Sequence, residues 1–261
     1  MKLVCACLSA TLVCALACLP SHAAPVLAHA TITPAGQFDV HAAVPRVRSV
    51  PSASAAVPAL RPAVRAATSA EVQLAFAAPP CEVTTIATPH GEFTLLSLPG
   101  AGYTDVYGAP MLPVVRALLA VPDGVDVQCA YSSTPRDVSA AELGVPAEPL
   151  PLQPPVPKRP GALEAAPFVR AAAAYAAAAF FPSEPARIVP AGRLAGQRLV
   201  MLELAPVQFS PAQRVYRLHA DLAITVSFHG QAAPPAPRSP REDALVRELV
   251  CNAPAAALSF T

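Results

Sequence analysis

Beyond residue 23 the chain holds three cysteines and five histidines, and most of the chemistry it could offer rests on them. They are Cys81, Cys129 and Cys251, with His29, His41, His90, His219 and His229. A cysteine nucleophile needs an imidazole close by, itself oriented by a third group. None of the three thiols has such a neighbourhood in the sequence, and Cys81 and Cys129 fall inside strand-like runs that suit a structural role. No Gly-x-Ser-x-Gly, His-Glu-x-x-His or phosphate-binding loop occurs. His219-Ala220-Asp221 sets two polar groups on one strand face, and His229 can follow on that side. The carboxylate there is single and no third ligand lies near, so the expectation is a solvated face rather than a metal site. Asp105, Asp123 and Asp126 read as turn residues by the same logic. The sequence therefore predicts no catalytic residues, no cofactor site and no metal ligands.

Cysteine number limits the covalent chemistry further. Three thiols allow at most one intrachain disulfide. Cys81 with Cys129 is the candidate pair, because both sit in predicted strands of one domain; buried free thiols are the alternative. The other four cysteines, Cys5, Cys7, Cys14 and Cys18, lie in an export-signal pattern. Lys2 gives its positive start, Leu3 to Leu19 its apolar run, and Ser21-His22-Ala23 its small-x-small cleavage site. Cleavage is expected after Ala23, with Ala30 as second choice. The run is too short for a comfortable membrane span, which takes roughly 20 residues. The chain is thus expected to be secreted, periplasmic or at the cell surface, with a lipoprotein at Cys18 as the alternative. No other segment is long and apolar enough to cross a bilayer.

Composition excludes further classes. The 261 residues carry a net charge of +1, and Lys2 is the one charged residue among the first 23, so the remainder has 17 basic and 17 acidic side chains. That balance gives no reason to expect nucleic acid or a polybasic membrane contact. Pro occurs 33 times, and proline at this density argues against a helical bundle. It fits a mainly β protein with Pro-rich loops.

The elements follow from periodicity and punctuation. Residues 24–69 are Ala, Pro, Val and Arg without period and read as a disordered leader. From Glu71 the chain alternates: Val72 to Phe76, Cys81 to Ile86, Glu92 to Leu98 and Val125 to Tyr131 are short strands. Leu112 to Val121 is almost continuously apolar, as in a strand buried on both faces. Pro122-Asp123-Gly124 is a turn. Residues 134–162 form a long loop with prolines at 135, 146, 149, 151, 154, 155, 157 and 160. A short helix is expected around Val169 to Ala179, and a strand over Arg198 to Leu204. Tyr216 to Phe228 alternates strictly, with Tyr216, Leu218, Ala220, Leu222, Ile224, Val226 and Phe228 inward and Arg217, His219, Asp221, Thr225 and Ser227 outward. After a Pro-rich linker, Ser239-Pro240-Arg241-Glu242 opens a short helix with a capping box. This assigns 1–23 as signal peptide, 24–69 as leader, 70–230 as an antiparallel β-sandwich and 231–261 as linker and helix.

The order of segments resembles the N-terminal propeptide of the gingipain family of cysteine peptidases. Gly108-Ala109-Pro110-Met111-Leu112-Pro113-Val114 running on to Val121-Pro122-Asp123-Gly124 is similar to a family signature. Tyr175 with Phe180-Phe181-Pro182, and Ala205-Pro206-Val207-Gln208-Phe209 with Ser210-Pro211, follow in the family's order. The resemblance implies a β-sandwich that folds with a peptidase catalytic domain and blocks its cleft, which makes that domain the expected partner. It also implies a basic side chain on an accessible loop, and Lys158, Arg159 and Arg136 are the candidates to contact the cleft. The family's catalytic domain, with its His and Cys, would begin where this sequence ends. The competing reading is a stand-alone secreted β-sandwich that binds a surface, a glycan or a protein.

Overall fold

The computed structural model describes residues 29–30, 60–146, 148–162, 165–234 and 236–253. The expected signal peptide, the Cys18 lipoprotein site and most of the leader lie outside them. Among the described residues fourteen strands and three short helices follow in chain order. They are β1 (His29–Ala30), β2 (Ala63–Ala67), β3 (Glu71–Ala77), β4 (Glu82–Thr88), β5 (Gly91–Ser97), β6 (Gly102–Tyr103), β7 (Pro113–Val121), β8 (Asp126–Ser132), β9 (Arg136–Ser139), α1 (Ala140–Leu143), α2 (Ala172–Ala176), β10 (Ala186–Leu194), β11 (Gln197–Leu204), β12 (Val207–Ser210), β13 (Val215–Leu218), β14 (Asp221–His229) and α3 (Pro240–Leu249).

The fold is mainly β and nearly all antiparallel, as the alternation predicts; β1 beside β4 is the parallel exception. Two four-stranded sheets, β2-β3-β14-β8 and β10-β11-β7-β6, share the main core. Val72, Leu74 and Phe76 of β3 and Leu222, Ile224, Val226 and Phe228 of β14 meet Val115, Leu119 and Val121 of β7 and Val200, Leu202 and Leu204 of β11. Strand β7 is buried along its inward face but only in part on its back, where Val246 of α3 and the following Val250 pack on Ala120 and Leu199 while Arg116 stays exposed, so the double burial expected from its apolar run is incomplete. The capping box of α3 forms as read, with Ser239 and Glu242 satisfying each other's backbone N–H. A second core gathers Leu96, Leu112, Ala140, Val207, Phe209 and Tyr216 between β5 and the sheet β12-β13-β9.

Several expectations need correcting. The long alternating strand is two strands. β13 belongs with β12 and β9, β14 with β3 and β8, and the chain changes sheets at His219-Ala220. His219 is therefore buried, at 4% exposure, rather than solvated, and Ala220 is exposed. Period 2 continues across the corner in sequence, but the faces do not. The last part of the leader is ordered, since β2 pairs with β3. Residues 134–162 are not structureless, because β9 pairs with β13 and Ser139 caps α1 in a second Ser/Glu box. The helix expected over 169–179 shrinks to the five residues of α2. Strand β10 went unread, since its Pro190 and Gly192 mark a bulge. It turns into β11 through Ala195 and Gly196, both with positive φ, as a two-residue hairpin turn of this hand requires.

Candidate functional site

Lys158 and Arg159 stand exposed on an excursion of the chain that starts and ends at one point. The outgoing limb runs beside the 109–111 segment, with Met111 N donating to Leu150 O (2.8 Å) and Leu152 N to Ala109 O (2.9 Å). Gly108 N then donates to Leu152 O (2.7 Å), and Gly108 O accepts from Ala171 N of the returning limb (2.9 Å). Gly108 sits at φ +78, and a Cβ there would lie 2.9 Å from Ala171 N, so conformation and space both demand glycine. The Gln153 side chain completes the junction. Its amide donates to Val169 O (2.9 Å) and its carbonyl accepts from Val169 N (2.9 Å), as a strand partner's backbone would. Tyr175 holds the return by donating to Pro149 O (2.8 Å).

At the tip the sequence is Pro157-Lys158-Arg159-Pro160-Gly161, exposed throughout. Arg159 N donates to Pro157 O (2.9 Å), and Ala162 N to Arg159 O (3.2 Å). Ala162 is buried and anchors the turn. Neither basic side chain forms an ion pair with another described residue. Arg136 is exposed too, but it opens edge strand β9 opposite Leu218, on a different element from the other two.

The remaining chemistry is structural in form. Cys81, Cys129 and Cys251 are all free thiols, so the Cys81–Cys129 pairing is not made. Burial pushes each thiol up to about 11, assisted by nearby Glu82 for Cys81 and Glu184 for Cys129. His219 accepts at Nδ1 from Ser133 Oγ (2.8 Å) and donates from Nε2 to Gln208 Oε1 (2.8 Å). The Gln208 amide donates in turn to Pro182 O (2.6 Å), which fixes that tautomer. Burial, with Arg217 adding and Asp137 opposing, holds the imidazole below its ordinary pKa. Asp221, expected beside His219, is exposed on the other strand, so the two do not converge. Among the described residues no three His, Cys, Asp or Glu side chains gather as metal ligands.

Sequence reading missed one charged cluster. Arg116, Glu203 and Arg187 lie directly opposite one another on β7, β11 and β10. Glu203, 8% exposed, takes Arg116 at 2.8 Å and Arg187 at 2.7 Å. Burial acts to raise its carboxyl, but the two guanidiniums outweigh burial and hold it below the usual range. Beside it lies a cavity of about 50 Å³, bordered by Val106, Phe181, Pro182 and Glu184. No local pattern could reveal this ladder, because its members meet only through strand register.

Comparison with known proteins converges on one family. The Propeptide_C25 family model matches residues 57–245, wider on both sides than the 70–230 read from the sequence. Lys-gingipain of Porphyromonas gingivalis is 33% identical over 149 residues, which is 57% of this chain and 9% of that protein. Lys-gingipain HG66 is 32% identical over the same length. The matched region thus spans about a tenth of the length of these curated relatives. A solved structure addressing the zymogenic latency of gingipain K from P. gingivalis is 31% identical, with a TM-score of 0.57 over 67% of this chain and 95% of that one. The complex of P. gingivalis RgpB pro- and mature domains is 18% identical, with a TM-score of 0.62 over 76% of this chain and 99% of that one, and shares the fold. Among the described residues no helix is long and apolar enough to cross a membrane.

Proposed function

The chain belongs to the Propeptide_C25 family, and from that premise we propose that it is a non-catalytic, secreted prodomain that folds with a gingipain-like cysteine peptidase and blocks its cleft. The observation that carries the reading is the exposed Lys158–Arg159 pair on a loop whose base is tied by Gly108 and Gln153. A peptidase selective for basic residues recognises them with a carboxylate in a pocket, and a guanidinium or ammonium pairs strongly there. A loop stiffened by proline and pinned at its base loses less entropy on docking than a free one. Arg136, on its edge strand, is a peripheral contact in this reading. Residues 1–23 serve as the export signal.

The test is direct. The purified chain is titrated into a gingipain-type peptidase while hydrolysis of Arg and Lys substrates is followed. Inhibition is expected, and Lys158→Ala with Arg159→Ala should weaken it by about 2–5 kcal/mol, while Arg136→Ala changes it little. A parent chain that slows neither substrate would leave the stand-alone binding module as the better reading.

A further inference from the structure

We infer that the loop engages an arginine-selective cysteine peptidase through Arg159 and resists being cut there, because the bond that would have to break joins Arg159 to Pro160. This rests on the cleft-blocking reading above and adds which basic residue is used and why the complex persists. In a cysteine peptidase the thiolate attacks the carbonyl carbon of the residue held in the specificity pocket. The C–N bond to the next residue then breaks, and the departing nitrogen takes a proton from the imidazole. At Pro160 that nitrogen has no hydrogen and lies inside a ring, whose Cδ occupies space around the atom the imidazole must reach. Acylation at Arg159 is therefore slow. The loop's base works in the same direction: Gln153 bonds both backbone groups of Val169, and Gly108 bonds Leu152 and Ala171. A Pro160 amine released by a rare cut would stay beside the acyl-enzyme, at the high effective concentration that favours resealing the bond.

The neighbouring bond has no such protection. Arg159 carries an ordinary N–H, now donated to Pro157 O at 2.9 Å, and that turn bond opens when the loop lies extended in a cleft. A lysine-selective enzyme that takes Lys158 into its pocket would cut between Lys158 and Arg159. The same five residues thus form a stable block for one specificity and a substrate for the other.

The test incubates the full chain with one arginine-selective and one lysine-selective peptidase of the gingipain type, reading residual activity and intact mass over hours. The expected result is lasting inhibition of the first enzyme, with the 159–160 bond whole, and a cut after Lys158 by the second. Pro160→Ala should turn the inhibitor into a substrate of the first enzyme, cut after Arg159 at least about tenfold faster than the parent. Pro160 is exposed on the turn, and a thermal melt of the variant checks its fold. A parent that inhibits, but is cut after Arg159 as fast as Pro160→Ala, overturns this inference and leaves the inhibitor reading standing. So does a Pro160→Ala variant that stays whole while inhibiting. A parent that slows neither enzyme removes both.

Discussion

Glu203→Leu should be nearly neutral, whereas Arg116→Ala combined with Arg187→Ala should be severe. The asymmetry follows from exposure. The Glu203 side chain is 8% exposed, while those of Arg116 and Arg187 are 32% and 48% exposed. Removing the carboxylate frees two guanidiniums that already touch water and can turn outward, and leucine regains apolar contact in the vacated space. The cost should be about 1 kcal/mol or less. Removing both arginines strands a carboxylate that has no route to solvent of its own, which costs about 3–5 kcal/mol. The neighbouring cavity of about 50 Å³ can admit water and favours the lower end. The pH dependence should change sign as well. In the parent the Glu203 carboxyl is held below its ordinary value of 4.5, so its contribution is present above that pH and is lost as pH falls through the lowered value. Without the arginines burial alone acts and raises it, so stability is then present at low pH and is lost as pH rises through the raised value. Urea midpoints followed by far-UV circular dichroism at several pH values between about 3 and 8 measure both effects. Equal costs for Glu203→Leu and the double arginine variant, or an unchanged pH slope in the latter, would refute the reasoning.

His219 should make the fold acid-sensitive in a separate window. Its folded pKa lies below the ordinary 6.5, so its contribution is present above about 6.5 and is lost as pH falls toward the lowered value; His219→Gln should flatten the urea midpoint between pH 7.5 and about 5. Gln153→Ala should leave the melting temperature close to the parent's but speed trypsin nicking after Lys158, as seen by mass spectrometry; an unchanged nicking rate would show that the Gly108 bonds suffice. Cys81, Cys129 and Cys251, with thiols pushed up to about 11, should keep roughly one part in ten thousand as thiolate at pH 7. A disulfide-exchange reagent should therefore label these half-buried thiols much more slowly in the folded chain than after unfolding, and native labelling as fast as that of an unfolded thiol would contradict the raised pKa.

What could be read from the sequence was whatever repeats locally. The almost continuous apolar run of β7, the alternation of β14 and the Ser239–Glu242 box each carry their signal within about ten residues. The Ser139–Glu142 box is written just as plainly, but it is embedded among prolines that read as loop. The corner at His219-Ala220 was hidden because alternation does not report a change of sheet, and an outward histidine by parity became a buried one by topology. Lys158 and Arg159 were visible as an exposed basic pair, but the Gln153–Val169 clamp beneath them depends on two residues 16 apart meeting in space. The Arg116–Glu203–Arg187 ladder needs the register of three strands at once.

The back of β7 also bears on how the protein behaves in concentrated solution. Strand β6 is paired with β7 only at Val114 and Pro113. Farther along that edge Cys251 N donates to Leu118 O (2.9 Å), and the Asn252 amide bonds both backbone groups of Ala120, at 2.9 and 2.8 Å. Removing residues from Val250 onward would uncover backbone donors and acceptors along Leu118 to Ala120, in one of the most apolar strands of the molecule. Such an edge invites a second chain to pair with it. Asn252 thus acts as a guard against sheet-to-sheet self-association, and shortened versions of this protein should be judged by light scattering before they are judged by their melting curves.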